Sequence, residues 1–291
     1  MKFKFDRDTR RQWKDRGMTV AAIACVVLAL IPLGSILVEA IGRGAQAIGP
    51  SFFLSNTVVG GIGNAIQGTL ILIALSGGIG IPVGILAGIY VSEYGNNRLG
   101  RALRFFNDVM TQIPSIVVGI FAFSIIFELS LLNVGSPRLA TSAIAAVIAL
   151  ATIMIPVVAR TSEEALRLVP VATREAALAL GIPKYRVTLR VVLSSASGGL
   201  VTGALLAVAR AAGETAPLLM TSAASDFGFA GLDQPVASLT VTVYRFALDP
   251  GAAYNRAAWG AALVLTAIML AISITSRILF RRRYGVRGEG S

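Results

Sequence analysis

The chain alternates long apolar runs with short polar segments, and the apolar runs show neither the two-residue alternation of a strand nor the narrow stripe of a surface helix. A helix rises about 1.5 Å per residue, so about 20 apolar residues cross a hydrocarbon layer about 30 Å thick. Six runs meet that requirement, near 18–41, 69–91, 109–128, 141–160, 196–221 and 257–279. Lipid offers the backbone no hydrogen-bond partner, so such runs are expected as helices. The pattern predicts an all-α membrane protein with six transmembrane helices.

The polar segments between the runs differ in charge. Twenty-one of the 26 Lys and Arg residues fall in the N-terminal tail, the segment after the second run, the segment after the fourth run and the C-terminal tail. Only Arg43, Arg138, Arg245 and Arg256 lie in the alternate segments. Basic segments stay on the cytoplasmic side, which places both termini in the cytoplasm of a multi-pass cytoplasmic (inner) membrane protein. The expected organisation is a cytoplasmic tail over 1–17, a first helix over 18–41, a core of five helices over 65–280 and a cytoplasmic tail over 281–291. Ala45-Gln46-Ala47 loosely resembles a leader cleavage site, but the apolar run before it is too long for a leader and reads as a retained anchor.

Composition agrees: 55% of residues are hydrophobic and 14% charged, at a mean hydropathy of +0.75. The net charge of +11 does not point to nucleic acid, because the basic residues are dispersed between apolar runs rather than gathered on one face with stacking aromatics. One cysteine, Cys25, and no histidine leave no disulfide framework, zinc site or Ser-His or Cys-His catalytic apparatus. Gly80, Gly84 and Gly88 in the second run, and Gly199, Gly203, Ala207 and Ala211 in the fifth, repeat every fourth position, as closely packed membrane helices require.

The segment 161–195 carries Glu175-Ala176-Ala177-Leu178-Ala179-Leu180-Gly181 and then Ile182-Pro183-Lys184-Tyr185-Arg186. It reads as a short helix stopped by a glycine at positive φ, with Pro183 in the first turn of a second helix. Such a bent pair suits a groove on a cytoplasmic partner. These residues resemble the coupling loop of the ABC importer permeases, in which Glu-Ala-Ala, three residues and Gly precede an ending in Leu-Pro. Here the ending is Val191-Val192-Leu193-Ser194, without the proline. The phrases Glu163 to Pro170, Gln112 to Gly119 and Ala209 to Leu219 are similar to the PstA-type permeases of the phosphate importer.

That resemblance implies a type I ABC importer permease (MetI-like) fold, with Glu175, Ala176, Ala177, Gly181 and Pro183 in ATPase coupling. It further implies two copies of an ATP-binding subunit, a second permease of PstC type and an extracytoplasmic phosphate-binding protein. No cofactor is expected on this chain. ATP and Mg belong to the partner ATPase, since this sequence has no Gly-Lys pair from which to build a P-loop.

Arg210 and Glu214 lie four residues apart in the otherwise apolar fifth run, on one helical face and near its middle. A charge at that depth costs at least about 2.5–3.5 kcal/mol, so it faces a cavity or a partner. Two readings are open: an anion-attracting pair on the substrate pathway, or a structural tie between helices. Gln112, Ser115 and Thr215 are further polar candidates for the pathway. The segment 222–256 combines Asp226, Asp233 and Asp249 with Phe227, Phe229, Tyr244 and Phe246, suited either to docking an external protein or to capping the bundle. The expected function is a phosphate permease. The alternatives are a permease for sulfate, molybdate or phosphonate, a secondary anion transporter, disfavoured by the absence of a visible internal duplication, and a membrane scaffold.

Overall fold

Small residues at every fourth position set the centre of the molecule. The computed structural model describes residues 7–132, 136–223 and 225–284. In it, helix α3 (Gly63–Glu93) runs parallel to helix α6 (Ala143–Arg167). A Cβ on Gly84 would stand 2.6 Å from Cβ of Val158, and one on Gly88 would stand 2.6 Å from Cβ of Ser162. Backbone therefore lies against side chain turn after turn, and neither helix can be enlarged there. The antiparallel helix α9 (Leu193–Gly213) closes on the other side of α6 through Gly199 on Ala165 and Gly203 on Thr161. Leu72, Leu150, Met154, Val158, Ala207 and Ala211 fill the space among the three.

The remaining elements follow in chain order. Helix α1 (Arg7–Ala47) leads into the short α2 (Pro50–Leu54) and a 3-10 turn at Thr57–Val59. After α3 come α4 (Arg98–Gln112), α5 (Ser115–Leu131) and a 3-10 turn at Pro137–Thr141. Beyond α6 lie α7 (Val171–Ala179) and the single turn α8 (Lys184–Arg186). After α9 come α10 (Ala216–Thr221), α11 (Leu239–Leu248) and α12 (Ala252–Tyr284). Among the described residues five helices are long and apolar enough to cross a membrane, and α4 with α5 makes a sixth, bent, candidate. None of the apolar window of α1 is buried, against 72% of that of α6. So apolar a window, uncovered within the chain, has lipid or another protein as its surroundings, whereas nearer the helix end Ala40 is buried and Gly44 packs against Trp259 and Leu263 of α12.

Two spans expected to be continuous are broken. The run 109–128 divides at Ile113 and Pro114 into α4 and α5, which meet at 107°. Pro114 lacks the N–H that would bond Met110, and Ile113 before it is extended, at φ −67°, ψ 129°. The run 196–221 divides at Glu214, extended at φ −73°, ψ 123°. A continuous helix would need the missing N–H of Pro217 against Gly213, so the chain restarts as α10 with Pro217 in its first turn. Gly119 of α5 then takes the backbone of Pro217 so closely that a Cβ there would fall 2.5 Å from its Cα.

The segment expected as a loop over 161–195 is shorter than that. Helix α6 continues to Arg167, and α8 runs without interruption into α9. They join through a wide turn at Val187–Val192 whose bond from the N–H of Leu193 to the carbonyl of Thr188 spans five residues. With Ser194 where proline was absent from the motif, the backbone stays helical throughout.

Candidate functional site

Arg210 occupies the last turn of α9, and Glu214 follows the helix end. Their closest approach is 3.6 Å from Nε to Oε1, with 46% of the Arg210 side chain and 15% of the Glu214 side chain exposed. That distance gives charge contact without a good hydrogen bond. The guanidinium makes no hydrogen bond to another described residue, so its donor fork is open. Glu214 is held from behind: its carbonyl accepts from Thr240 Oγ1 of α11 at 3.1 Å. Arg210 lines a cleft at the bend between α4 and α5 with Thr111, Ser115, Thr152 and Pro156. The midpoint of α6 falls at Ile155, so this cleft lies at half depth in the bundle.

From there toward the α7 end, charged groups line the contact between α4 and α6. Arg160 reaches Asp108 and Glu164, each at 3.3 Å. Arg104 meets Glu163 at 2.9 Å, and Asn107 donates to the carbonyl of Pro156 at 3.2 Å.

At that end, α7 stops where Gly181 turns to φ +73° and its N–H donates to the carbonyl of Leu178 at 2.9 Å. A Cβ there would touch nothing, so the demand for glycine comes from the backbone angle alone. Ala177 is buried against Leu166, Val187 and Val192. Leu168 and Leu180, each at least 80% exposed, stand out from the bundle with Val171 beside them.

Residues 80–283 match the family described as binding-protein-dependent transport system inner membrane component. The chain belongs to this family. Among its relatives, the phosphate transport system permease protein PstA of Yersinia pestis is 39% identical over 279 residues, covering 94% of this chain and 92% of that one. PstA of Pasteurella multocida is 38% identical over 278 residues, covering 94% and 96%. The fold matches a chain of a bacterial alginate ABC transporter, crystallised with its alginate pentasaccharide-bound periplasmic protein, at 18% identity and TM-score 0.69 over 95% and 96% of the two.

Within this permease family fold the candidate residues separate. Arg210 and Ser115 both line the cleft, and Glu214, which is not among its lining residues, is joined to it through Arg210. Gln112 ends α4 exposed, its amide donating to the carbonyl of Asp108 at 3.0 Å, and Thr215 holds the N-cap position of α10 without a side-chain capping bond; neither is among the cleft-lining residues. Glu175 and Ala176 are exposed on α7, and Pro183 precedes α8 at its cap rather than in its first turn. Sequence reasoning missed Thr111 and Thr152. Thr152 carried a signal, as the only polar residue between 143 and 158. It also missed Arg174 and Glu93, paired at 2.9 Å across 81 residues of sequence.

Proposed function

We propose that this chain is the PstA-type permease subunit of an ATP-driven phosphate importer, working with two copies of an ATP-binding subunit, a PstC-type permease and an extracytoplasmic phosphate-binding protein. The names of its relatives supply the substrate class, and the observation that carries the site is the open guanidinium of Arg210 at half depth. A planar fork of donors suits a tetrahedral oxyanion. Glu214 at 3.6 Å offsets part of the charge without occupying the fork, which favours brief rather than tight binding. Ser115, with Gln112 and Thr215 at the flanking helix ends, adds polar groups along the route.

The α7 end faces the cytoplasm in this reading, following the bias of basic residues toward it. Glu175, Ala176, Ala177, Gly181 and Pro183 shape the element that seats in the ATPase, which holds ATP and Mg. Alternating access then exposes Arg210 first to one side and then to the other.

The test is uptake of radiolabelled phosphate by proteoliposomes holding the complete complex, with Mg-ATP inside and binding protein outside. Uptake that needs ATP and resists excess sulfate and molybdate is expected; uptake without ATP, or of sulfate instead, would refute the reading. Single cysteines replacing Arg101 or Gly231 in a Cys25→Ala background test orientation. An impermeant thiol reagent should label intact cells only through Gly231→Cys.

A further inference from the structure

The family's coupling segment hangs on few contacts. Ala177 is the only buried residue of α7, and it contributes a single methyl. What fixes α7 to the membrane helices is Arg174. Its Nε and Nη2 reach Oε1 of Glu93 at 3.3 and 2.9 Å, Nη2 also donates to the carbonyl of Leu166 at 2.7 Å, and Nη1 donates to the carbonyl of Val169. Glu93 is the last residue of α3, Leu166 lies in the last turn of α6, and Val169 follows it. One guanidinium therefore ties the start of α7 to the ends of the two helices that pack glycine to side chain at the centre of the bundle. The pair is well covered, with 18% of the Arg174 and 7% of the Glu93 side chain exposed. Lys184 adds a second fastening beyond Gly181, donating to the Glu93 carbonyl at 2.9 Å with its Nζ 4.6 Å from the centre of the Tyr94 ring.

We infer that the Arg174–Glu93 pair is the mechanical latch through which displacement of α7 is passed to the α3–α6 pair, with both side chains acting as positioning residues. This rests on the reading that α7 seats in an ATPase. A push on α7 can be lost by swinging the segment about Gly181, whose backbone is held by no side chain, or it can move α3 and α6 as one body. A guanidinium anchored to two helix ends at once closes the first route. Exposed residues of α7 make the contact with the ATPase, so opening the latch leaves hydrolysis running and removes its effect on transport.

The readout is phosphate transported per ATP hydrolysed by the reconstituted complete complex carrying R174A, E93A, both together, or R174K. Each alanine variant is expected to hydrolyse ATP at a near-normal rate while the transport ratio falls about fivefold or more. The double variant should be no worse than the poorer single, since both remove one latch. R174K, which keeps the charge and loses the fork, should fall between the alanine variants and the unaltered chain. An unchanged ratio in assembled complexes, hydrolysis and transport falling in proportion, or losses that multiply in the double variant would each overturn the latch. Failure of all four variants to assemble would make the pair a folding element and overturn it equally. Absence of ATP-dependent phosphate uptake by the unaltered complex would instead count against the functional reading on which the latch rests.

Discussion

Two arginine–glutamate pairs mark the half depth and the α7 end of this permease, and they use the same chemistry to opposite ends. Arg210 and Glu214 approach to 3.6 Å, on neighbouring turns of one chain segment, with nearly half of the arginine side chain exposed. Arg174 and Glu93 approach to 2.9 Å from separate helices, and the arginine also donates to two backbone carbonyls. An open fork can accept an external anion, whereas a filled fork can only hold protein to protein. The difference lies in how many donors are already committed.

The sharpest separation comes from replacing both members of the open pair. In Arg210→Leu with Glu214→Leu the complex should assemble, because leucines are at home at that depth, while phosphate uptake falls about a hundredfold or more. Normal uptake by that variant would reduce the open pair to a structural tie. Thermal unfolding of the purified complex addresses the closed pair next. Removing Glu93 leaves Arg174 covered and without its counter-charge, held only by the carbonyls of Leu166 and Val169, a loss of about 3–5 kcal/mol. Removing Glu214 leaves an arginine already in contact with its surroundings, and solvent screening holds the loss to about 1 kcal/mol or less. Equal shifts in melting temperature for Glu93→Ala and Glu214→Ala would erase the contrast. Between these two in size, Gly181→Val places a β-branched residue at φ +73°, a strain of about 1–3 kcal/mol confined to the α7 segment. Transport and substrate-stimulated hydrolysis should decline together in that variant if, as proposed, α7 seats in the ATPase, since that seat would be misaligned. A selective loss of transport would place Gly181 in transmission instead.

Much of this was legible in the sequence, for local reasons. Arg210 and Glu214 stood out as charges in an apolar run, and Gly181 as the stop of a motif whose spacing is set by backbone geometry. The four-residue repeat of Gly80, Gly84 and Gly88 marked the face that α6 covers. The two breaks were not legible, because proline gives no unique signal in a membrane helix: Pro32, Pro82 and Pro156 remain inside helices, whereas Pro114 and Pro217 stand at breaks. What decides is whether neighbours accept a bend, as Gly119 accepts Pro217. Arg174 and Glu93 were invisible for another reason. Each lies near a polar helix end where charge is ordinary, and only the parallel packing of α3 and α6 brings the two ends level.

The wide turn at Val187–Val192 carries a consequence for the phase of the long helix it interrupts. A π turn holds one residue more than the α turn it replaces, so it acts as an insertion absorbed on the spot. The segments on either side keep the angular relation they would have in an unbroken α-helix one residue shorter. Deleting Leu189, which is exposed within the turn, should therefore straighten the helix while Gly199 and Gly203 still meet α6 and Arg210 still faces its cleft. Deleting one residue nearer Arg210, such as Leu206, should instead rotate everything beyond it by about 100°. Phosphate uptake should survive the first deletion and vanish with the second, although both shorten the same helix by the same amount.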